Sequence, residues 1–135
     1  MTTPKGDEQV LVVDDDAFIV TVVEAFLKQL GYKALAATSG REALQLFDEN
    51  RDQTSLVILD QSMPDISGAE LAAQLRSMRP SLPIIMFSGY GEEDMRRATR
   101  HLGISAFMPK PVTGDQLAVT VRRALDTARE KENAH

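Results

Sequence analysis

The sequence contains no cysteine. This absence excludes disulfide staples, thiol nucleophiles and cysteine-bound zinc. No apolar run approaches the roughly 18 residues of a membrane-spanning helix, and the N-terminal segment MTTPKGDEQ lacks the apolar core of a secretory signal. We therefore expect a cytoplasmic protein without a membrane partner.

The chain also has little basic charge. It carries 15 Lys and Arg against 20 Asp and Glu, and residues 1–60 hold 5 basic against 11 acidic side chains. Nucleic-acid binders usually show a basic stripe, and none is evident here. We therefore expect no direct contact with DNA or RNA.

Short apolar runs alternate with longer segments of helical periodicity. The runs VLVV, LVILD, PIIMFS and SAFM are typical of strands, and KALAA is a weaker candidate. Uninterrupted apolar strands that alternate with helices predict a parallel sheet covered on both faces. The predicted fold class is therefore α/β, a doubly wound (βα)5 three-layer sandwich. Right-handed crossovers leave few topologies, and one common solution is the flavodoxin-like strand order 2-1-3-4-5.

The helical segments carry start and core signals. Ser39, Ser67 and Thr113 each open a segment at a capping position. In the first segment four apolar residues recur at a spacing of four, which predicts that they face the core: Phe18, Val22, Phe26 and Leu30. In the fourth segment, expected at about Glu92 to His101, three side chains are expected to point inward: Met95, Ala98 and Leu102.

Polar side chains follow four of the predicted strands. They are Asp14 and Asp15 after the first strand, Asp60 after the third, Ser88 after the fourth and Lys110 after the fifth. The carboxyl ends of parallel strands lie at one edge of the sheet, and a crevice forms there where the strand order reverses. We therefore expect three carboxylates, a hydroxyl and an ammonium group to converge.

Such a cluster predicts metal-assisted phosphoryl chemistry. Clustered carboxylates raise one another's pKa unless a cation offsets the repulsion, and an all-oxygen ligand set suits Mg²⁺ better than zinc. An aspartate beside Mg²⁺ and a lysine can attack phosphorus to give an aspartyl phosphate. Lys110 would supply positive charge, and Ser88 would donate a hydrogen bond to a phosphoryl oxygen.

Four segments, VLVVDDD, LVILDQSMPDISG, IIMFSGY and AFMPKP, resemble the receiver domain of two-component response regulators. The resemblance covers roughly residues 9–128, which implies one receiver domain over 1–135 with flexible ends. It implies a phosphorylation-dependent signalling switch rather than an enzyme. The implied phosphoryl donor is a phosphohistidine of a sensor histidine kinase or a histidine phosphotransfer protein. Output would pass to a downstream protein partner or an attached module, or through a homodimer formed on phosphorylation.

The resemblance also assigns roles around the metal. Asp60 matches the phosphoacceptor, and Asp15 matches the carboxylate that binds Mg²⁺ directly. Asp14 matches a neighbour that acts mostly through water, and the backbone carbonyl of Ser62 matches the main-chain metal ligand. Ser62 and Tyr90 are expected to influence the rate of dephosphorylation.

Further matches concern the conformational switch. Ser88 matches the switch hydroxyl that moves toward the phosphoryl group, and Lys110 matches the lysine that contacts it. Phe107 matches the aromatic switch residue. The resemblance further implies a cis peptide bond before Pro111, and a surface of helix 4, strand 5 and helix 5 that changes on phosphorylation.

Several neighbouring residues have simpler interpretations. Asp16 is expected to cap the first helix, and Asp65 to belong to a turn that opens the third helix. The basic run Arg96, Arg97 and Arg100 predicts a solvated face of helix 4, which is also the best candidate for a partner surface.

Two other functions remain as alternatives. One is a Mg²⁺-dependent phosphatase of the haloacid dehalogenase type, but its D-x-D-x-[TV] pattern fails after Asp16, where Ala17 and Phe18 follow. The other is a pseudo-receiver that binds partners without phosphorylation. Such proteins usually lose an acid or the lysine, whereas Asp60 and Lys110 are both present here.

Overall fold

A computed structural model of the chain describes residues 3–89 and 92–133. Tyr90 therefore lies outside the described residues. Within them the strands are β1 Gln9–Val13, β2 Lys33–Ala37, β3 Thr54–Leu59, β4 Ile84–Ser88 and β5 Ala106–Pro109. The helices are α1 Ala17–Gln29, α2 Gly40–Glu49, α3 Gly68–Met78, α4 Glu92–Thr99 and α5 Gly114–Asn133, with a 3₁₀ turn at Arg100–Leu102.

The five strands form one parallel sheet in the order β2-β1-β3-β4-β5, so the predicted fold is confirmed. Val10 pairs with Ala34 of β2 on one side and with Leu56 of β3 on the other. The central position of β1 brings the ends of β1 and β3 side by side. That is the switch point, where the strand order reverses.

Each central strand is buried on both faces. In β1, Val10 and Val12 pack into a core with residues of α1 and α5, whereas Leu11 and Val13 pack into a second core with residues of α2 and α3. All four side chains are fully buried. A strand covered on both faces needs no polar alternation, which explains the continuous apolar run in the sequence.

Helix caps follow the predicted signals. Ser39 accepts a hydrogen bond from the backbone amide of Glu42, and Ser67 accepts one from Glu70. Gly31, at φ 96°, follows α1 in a left-handed conformation that a side chain would strain. Local sequence chemistry therefore sets where these helices begin and where α1 ends.

Two expectations about core-facing residues are wrong. Phe18 is 75% exposed, because it lies in the first turn of α1, which starts beyond the carboxyl end of the sheet. Ala98 is exposed, and Thr99 is buried in its place. Thr99 lies one helical turn after the buried Met95, and its hydroxyl donates to the Met95 carbonyl at 2.8 Å, which satisfies the polar group.

The amino end of β1 is joined to α5 by an ion network around Arg122. Its guanidinium lies 2.7 Å from Glu8 and 2.9 Å from Asp126, and it donates to the Tyr32 hydroxyl at 3.4 Å. We call these four residues the amino-end network. Among the described helices, none is long and apolar enough to cross a membrane.

Candidate functional site

The carboxyl ends of β1 and β3 bring three aspartates together. Carboxylate oxygens of Asp14, Asp15 and Asp60 lie within 4.8 Å of one another. The backbone ladder continues past both strands, since the Asp60 amide donates to the Val13 carbonyl at 3.0 Å and the Asp14 amide to the Ala37 carbonyl at 3.2 Å. The hydrogen bonds of the sheet therefore fix the backbone positions of Asp14 and Asp60.

Lys110 enters the same cluster from the end of β5. Its Nζ lies 2.8 Å from Asp14 Oδ2 and 3.2 Å from Asp60 Oδ1. The peptide bond between Lys110 and Pro111 is cis, and the Lys110 amide donates to the Ser88 carbonyl at 3.3 Å. These contacts hold the lysine backbone beside the end of β4 while its side chain reaches inward. We call Asp14, Asp15, Asp60 and Lys110 the carboxyl-end cluster.

The two oxygens of Asp14 have different surroundings. Oδ1 accepts a hydrogen bond from the Asp16 amide at 2.9 Å. Oδ2 is buried and lies 2.8 Å from Lys110 Nζ, and apart from this ion pair no partner is found for it among the described residues. A buried carboxylate oxygen normally has such partners, and this one has capacity left for a cation.

The protonation equilibria reflect the crowding of charge. Burial and then the charge of Asp14 raise the pKa of Asp60, and together they outweigh the opposing effect of Lys110. Burial lowers the pKa of Lys110, but its contacts with Asp14 and Asp60 outweigh burial and leave the pKa raised. Lys110 is therefore held as a cation, but its positive charge does not fully offset the burial and the repulsion from Asp14 that raise the pKa of Asp60.

The residues present fit Mg²⁺. The site offers hard carboxylate oxygens, one of them buried without a hydrogen bond, and an exposed side that leaves room for water at Asp15. In the described part of the chain, no other group of three or more acidic or histidine side chains is close enough to share a metal ion. Ser62 lines an open hollow together with Asp15 of the cluster.

Ser88 and Phe107 lie on the two strands that follow the cluster. Ser88 ends β4, is 5% exposed and is opposite Pro109 in the strand register. Phe107 is opposite Met86 and is half-buried, with the guanidinium of Arg96 from α4 4.4 Å from its ring centroid. Of the predicted switch pair, Ser88 therefore lies beside the backbone of Lys110, and Phe107 lies against α4.

Asp16 turns away from the cluster. Its side chain accepts a hydrogen bond from the Phe18 amide at 3.0 Å and caps α1, which confirms the capping expectation. The second acid that a haloacid dehalogenase pattern requires is therefore committed to a helix end, and a phosphatase of that type is not favoured.

Sequence reasoning missed one polar contact beside the site. Asp65 lies in the turn before α3, as expected, but its carboxylate accepts hydrogen bonds from Gly40 and Arg41 at the start of α2. These amides lower the pKa of the Asp65 carboxyl. The partners are 24 and 25 residues away in sequence, so no local pattern signals the contact.

The chain matches known proteins along most of its length. The family model described as response regulator receiver domain matches residues 10–122. A "Probable transcriptional regulator ycf27" of Porphyra purpurea is 35% identical over 90% of this chain and 49% of its own length. The "Sensor kinase CckA" of Brucella abortus is 36% identical over 93% of this chain and 13% of its own length. The chain thus spans half or less of these curated relatives.

A solved structure gives the same assignment. The response regulator receiver domain protein from Clostridium thermocellum superimposes with a TM-score of 0.86 at 28% identity, covering 91% of this chain and 98% of that one. With the family match, the sheet order and the acidic cluster at the switch point, this places the protein: the chain belongs to the response regulator receiver domain family, the phosphorylation-dependent signalling switches of two-component systems.

Proposed function

We propose that Asp60 accepts a phosphoryl group from the phosphohistidine of a sensor histidine kinase or a histidine phosphotransfer protein. The observation that supports this most is the imbalance of the carboxyl-end cluster, in which three carboxylates meet one ammonium group within the described residues. Excess negative charge at a ligand crevice does not stabilise the fold, because the carboxylates repel one another. It suits phosphoryl transfer that is assisted by a cation.

In the proposed step, a carboxylate oxygen of Asp60 forms a bond to phosphorus while the bond from phosphorus to the imidazole nitrogen breaks. The bonding electron pair returns to that nitrogen, which takes up a proton. Lys110 Nζ, 3.2 Å from Asp60 Oδ1, offsets the charge that gathers on the phosphoryl oxygens. Ser88, at the end of the neighbouring strand, donates a hydrogen bond to one of them.

Asp14, Asp15, Asp60 and the carbonyl of Ser62 would hold Mg²⁺. The bound ion supplies neutralisation of the carboxylates and of the phosphoryl oxygens. Asp14 contributes here through its buried oxygen, whose one charged partner among the described residues is Lys110 at 2.8 Å. With Asp15 and Asp60 as direct ligands and Asp14 acting mostly through water, this set uses two carboxylates, as Mg²⁺ sites usually do.

The switch operates through Ser88 and Phe107. Phosphorylation replaces the carboxylate charge of Asp60 with a phosphoryl group that carries about −1.5 to −2 charges, and its oxygens draw the Ser88 hydroxyl and Lys110 toward them. The ring of Phe107, covered by Arg96 at 4.4 Å, then repacks and changes the surface formed by α4, β5 and α5. Such a switch needs two states only a few kcal/mol apart, biased by the new charge.

Phosphorylation is tested by incubating the chain with acetyl phosphate and Mg²⁺ and measuring the intact mass. We expect one added phosphoryl group on the unaltered chain and none on Asp60→Asn. A chelated sample without Mg²⁺ should gain little. No gain on the unaltered chain, or an equal gain on Asp60→Asn, would contradict the proposal and favour the phosphorylation-independent alternative.

Phe18 is proposed as a contact for the phosphoryl donor protein. It is 75% exposed in the first turn of α1, three residues after Asp15 of the cluster. We expect Phe18→Ala to slow phosphotransfer from a cognate kinase and to leave the reaction with acetyl phosphate unchanged. Val119→Ala, which removes another exposed apolar side chain on α5, is the matched control and should slow neither reaction. Equal slowing with both donors would contradict a docking role.

The remaining features of the proposal concern the whole protein. The chain forms one receiver domain over 1–135 with its core at about 9–128, works in the cytoplasm and has no activity as an enzyme beyond its own phosphorylation and dephosphorylation. Output passes to a downstream protein or an attached module rather than directly to nucleic acid. A phosphoryl mimic should reveal a homodimer by light scattering if the output is self-association.

A further inference from the structure

The loop between β3 and α3, residues 61–67, is closed firmly on the α3 side. The Gly68 amide donates to the Gln61 carbonyl at 2.8 Å, and the Ala69 amide donates to Gln61 Oε1 at 3.0 Å. A Cβ at Gly68 would lie 2.3 Å from the carbonyl oxygen of Asp60, so the end of the loop is packed directly against the backbone of Asp60.

Asp65 holds the other side of the loop to α2. Its Oδ1 accepts from the Gly40 amide at 3.1 Å and its Oδ2 from the Arg41 amide at 2.9 Å. The next amide of α2, at Glu42, is accepted by Ser39 Oγ at 3.1 Å. Asp65 therefore caps a helix that belongs to a different part of the chain, and the two oxygens of one carboxylate fix its orientation.

The same contact is close on its apolar side. A Cβ added at Gly40 would lie 1.9 Å from Ile66 Cγ2, so a side chain there would displace Ile66 or the loop that carries it. Two features therefore keep the loop close to α2. The hydrogen bonds of Asp65 hold it there, and the lack of a side chain at Gly40 permits the close approach.

We propose that Asp65 is a positioning residue for the Mg²⁺ site, because it clamps to α2 the loop that carries Ser62, whose carbonyl is the proposed main-chain ligand. A backbone carbonyl has no rotamer of its own, so only the loop can place it. Ser62 and Asp65 line the same open hollow as Asp15. This inference rests on the proposed function, since it assumes that Ser62 binds the ion.

The test measures the Mg²⁺ dissociation constant of the full chain by titration calorimetry. Loss of a contact that orients a metal ligand weakens metal affinity by about tenfold or more, and we expect this for Asp65→Ala. Ser39→Ala is the matched control, because it also removes a cap from α2 but leaves the loop contact intact. Its dissociation constant should stay within about twofold of the unaltered value, since the contact that orients the ligand remains.

Two further variants separate position from charge. Glu70→Gln removes a negative charge from the same hollow without touching the clamp, and should change affinity by less than about twofold because screened surface charges act weakly. Gly40→Ala changes no charge and should weaken Mg²⁺ binding as Asp65→Ala does. Equal weakening by Asp65→Ala and Glu70→Gln, with no effect of Gly40→Ala, would overturn the proposal in favour of simple electrostatics.

A second readout follows the ligand itself. In ¹⁵N-labelled protein, the Met63 amide shares the peptide unit of the Ser62 carbonyl, so Mg²⁺ should shift its resonance in the unaltered chain and less in Gly40→Ala. Asp65→Asn, which keeps one acceptor oxygen, serves if Asp65→Ala does not fold. Failure of the unaltered chain to bind Mg²⁺ would overturn the proposed metal site and this inference with it. Full affinity in both Asp65→Ala and Gly40→Ala would overturn the clamp alone.

Discussion

The two ends of β1 carry ion clusters of opposite character. In the amino-end network Arg122 lies between Glu8 and Asp126, and its hydrogen bond lowers the pKa of Glu8 more than burial raises it. The contact with Glu8 also raises the pKa of Arg122, against the effect of burial. Arg129 adds a second guanidinium 3.7 Å from Glu8, so two cations face the two carboxylates, and the network ties α5 to the starts of β1 and β2.

The carboxyl-end cluster is unbalanced, although it lies only one strand length away. Burial and the charge of Asp14 raise the pKa of Asp60 even with Lys110 in contact. A network with balanced charges stabilises the fold. A cluster with excess negative charge contains repulsion between carboxylates, which a bound cation or a phosphoryl group can alter. Substitutions at the two ends should therefore change stability in opposite directions.

The largest expected effect is the loss of the amino-end network. We expect Arg122→Ala to lower the free energy of unfolding by about 3 kcal/mol, because it leaves the carboxylate of Glu8 largely buried without its main partner. Urea denaturation measures the change. Arg123→Ala removes an exposed neighbour on α5 and should change stability by less than about 0.5 kcal/mol. Equal losses in both variants would show that the network adds nothing beyond helix charge.

Mg²⁺ should act at the carboxyl end by a comparable amount. At a concentration one hundred times its dissociation constant, a ligand of the folded state adds about 2.7 kcal/mol of stability. We expect the same increment in Arg122→Ala as in the unaltered chain, because distant, independent sites add. A smaller increment in Arg122→Ala, measured by thermal melting, would show that the two ends of β1 are coupled.

Removing the charge of Asp60, the proposed phosphoacceptor, should stabilise the chain in the absence of Mg²⁺. We expect Asp60→Asn to raise the free energy of unfolding by about 1 kcal/mol at neutral pH, on the usual scale of single substitutions. The reason is that burial and Asp14 disfavour the charged form of Asp60. Asp52→Asn, at an exposed position, should leave stability unchanged. Destabilisation by Asp60→Asn would mean that the ion pair with Lys110 outweighs the repulsion.

The smallest effect is in the pH dependence. The folded pKa of Asp60 is raised above the ordinary 3.8. The loss of stability that ionised Asp60 causes is therefore absent below that value and complete once the pH exceeds the raised pKa. The advantage of Asp60→Asn should therefore shrink as the pH falls. Glu8 has a folded pKa below its ordinary 4.5, so its contribution is present above 4.5 and disappears as the pH falls through the folded pKa. Glu8→Gln should therefore destabilise most at neutral pH, and denaturation curves at several pH values would detect a failure of either trend.

The sequence predicts the sheet well because its strands are covered on both faces. A run such as VLVV has few alternatives to a central parallel strand, and the position of Asp14 and Asp60 at two adjacent strand ends then follows from topology. The helix caps at Ser39 and Ser67 are predictable for a similar reason, since each is a local contact over three residues.

Other features depend on contacts that no local pattern records. The periodicity of α1 predicts a buried Phe18, but the helix begins before the sheet can cover it. In α4, the inward position belongs to Thr99 because its hydroxyl finds a partner within the helix.

By itself, the sequence determined the α/β class and the group of acids at the carboxyl edge, and burial periodicity and chain topology left the strand order 2-1-3-4-5 as one of few arrangements. Only the tertiary structure decided which partner each charge has. It paired Lys110 with Asp14 and Asp60, Arg122 with Glu8, and Asp65 with the start of α2. Ion pairs and caps between distant segments require the final distance between two backbones, and that distance is a property of the whole packed core.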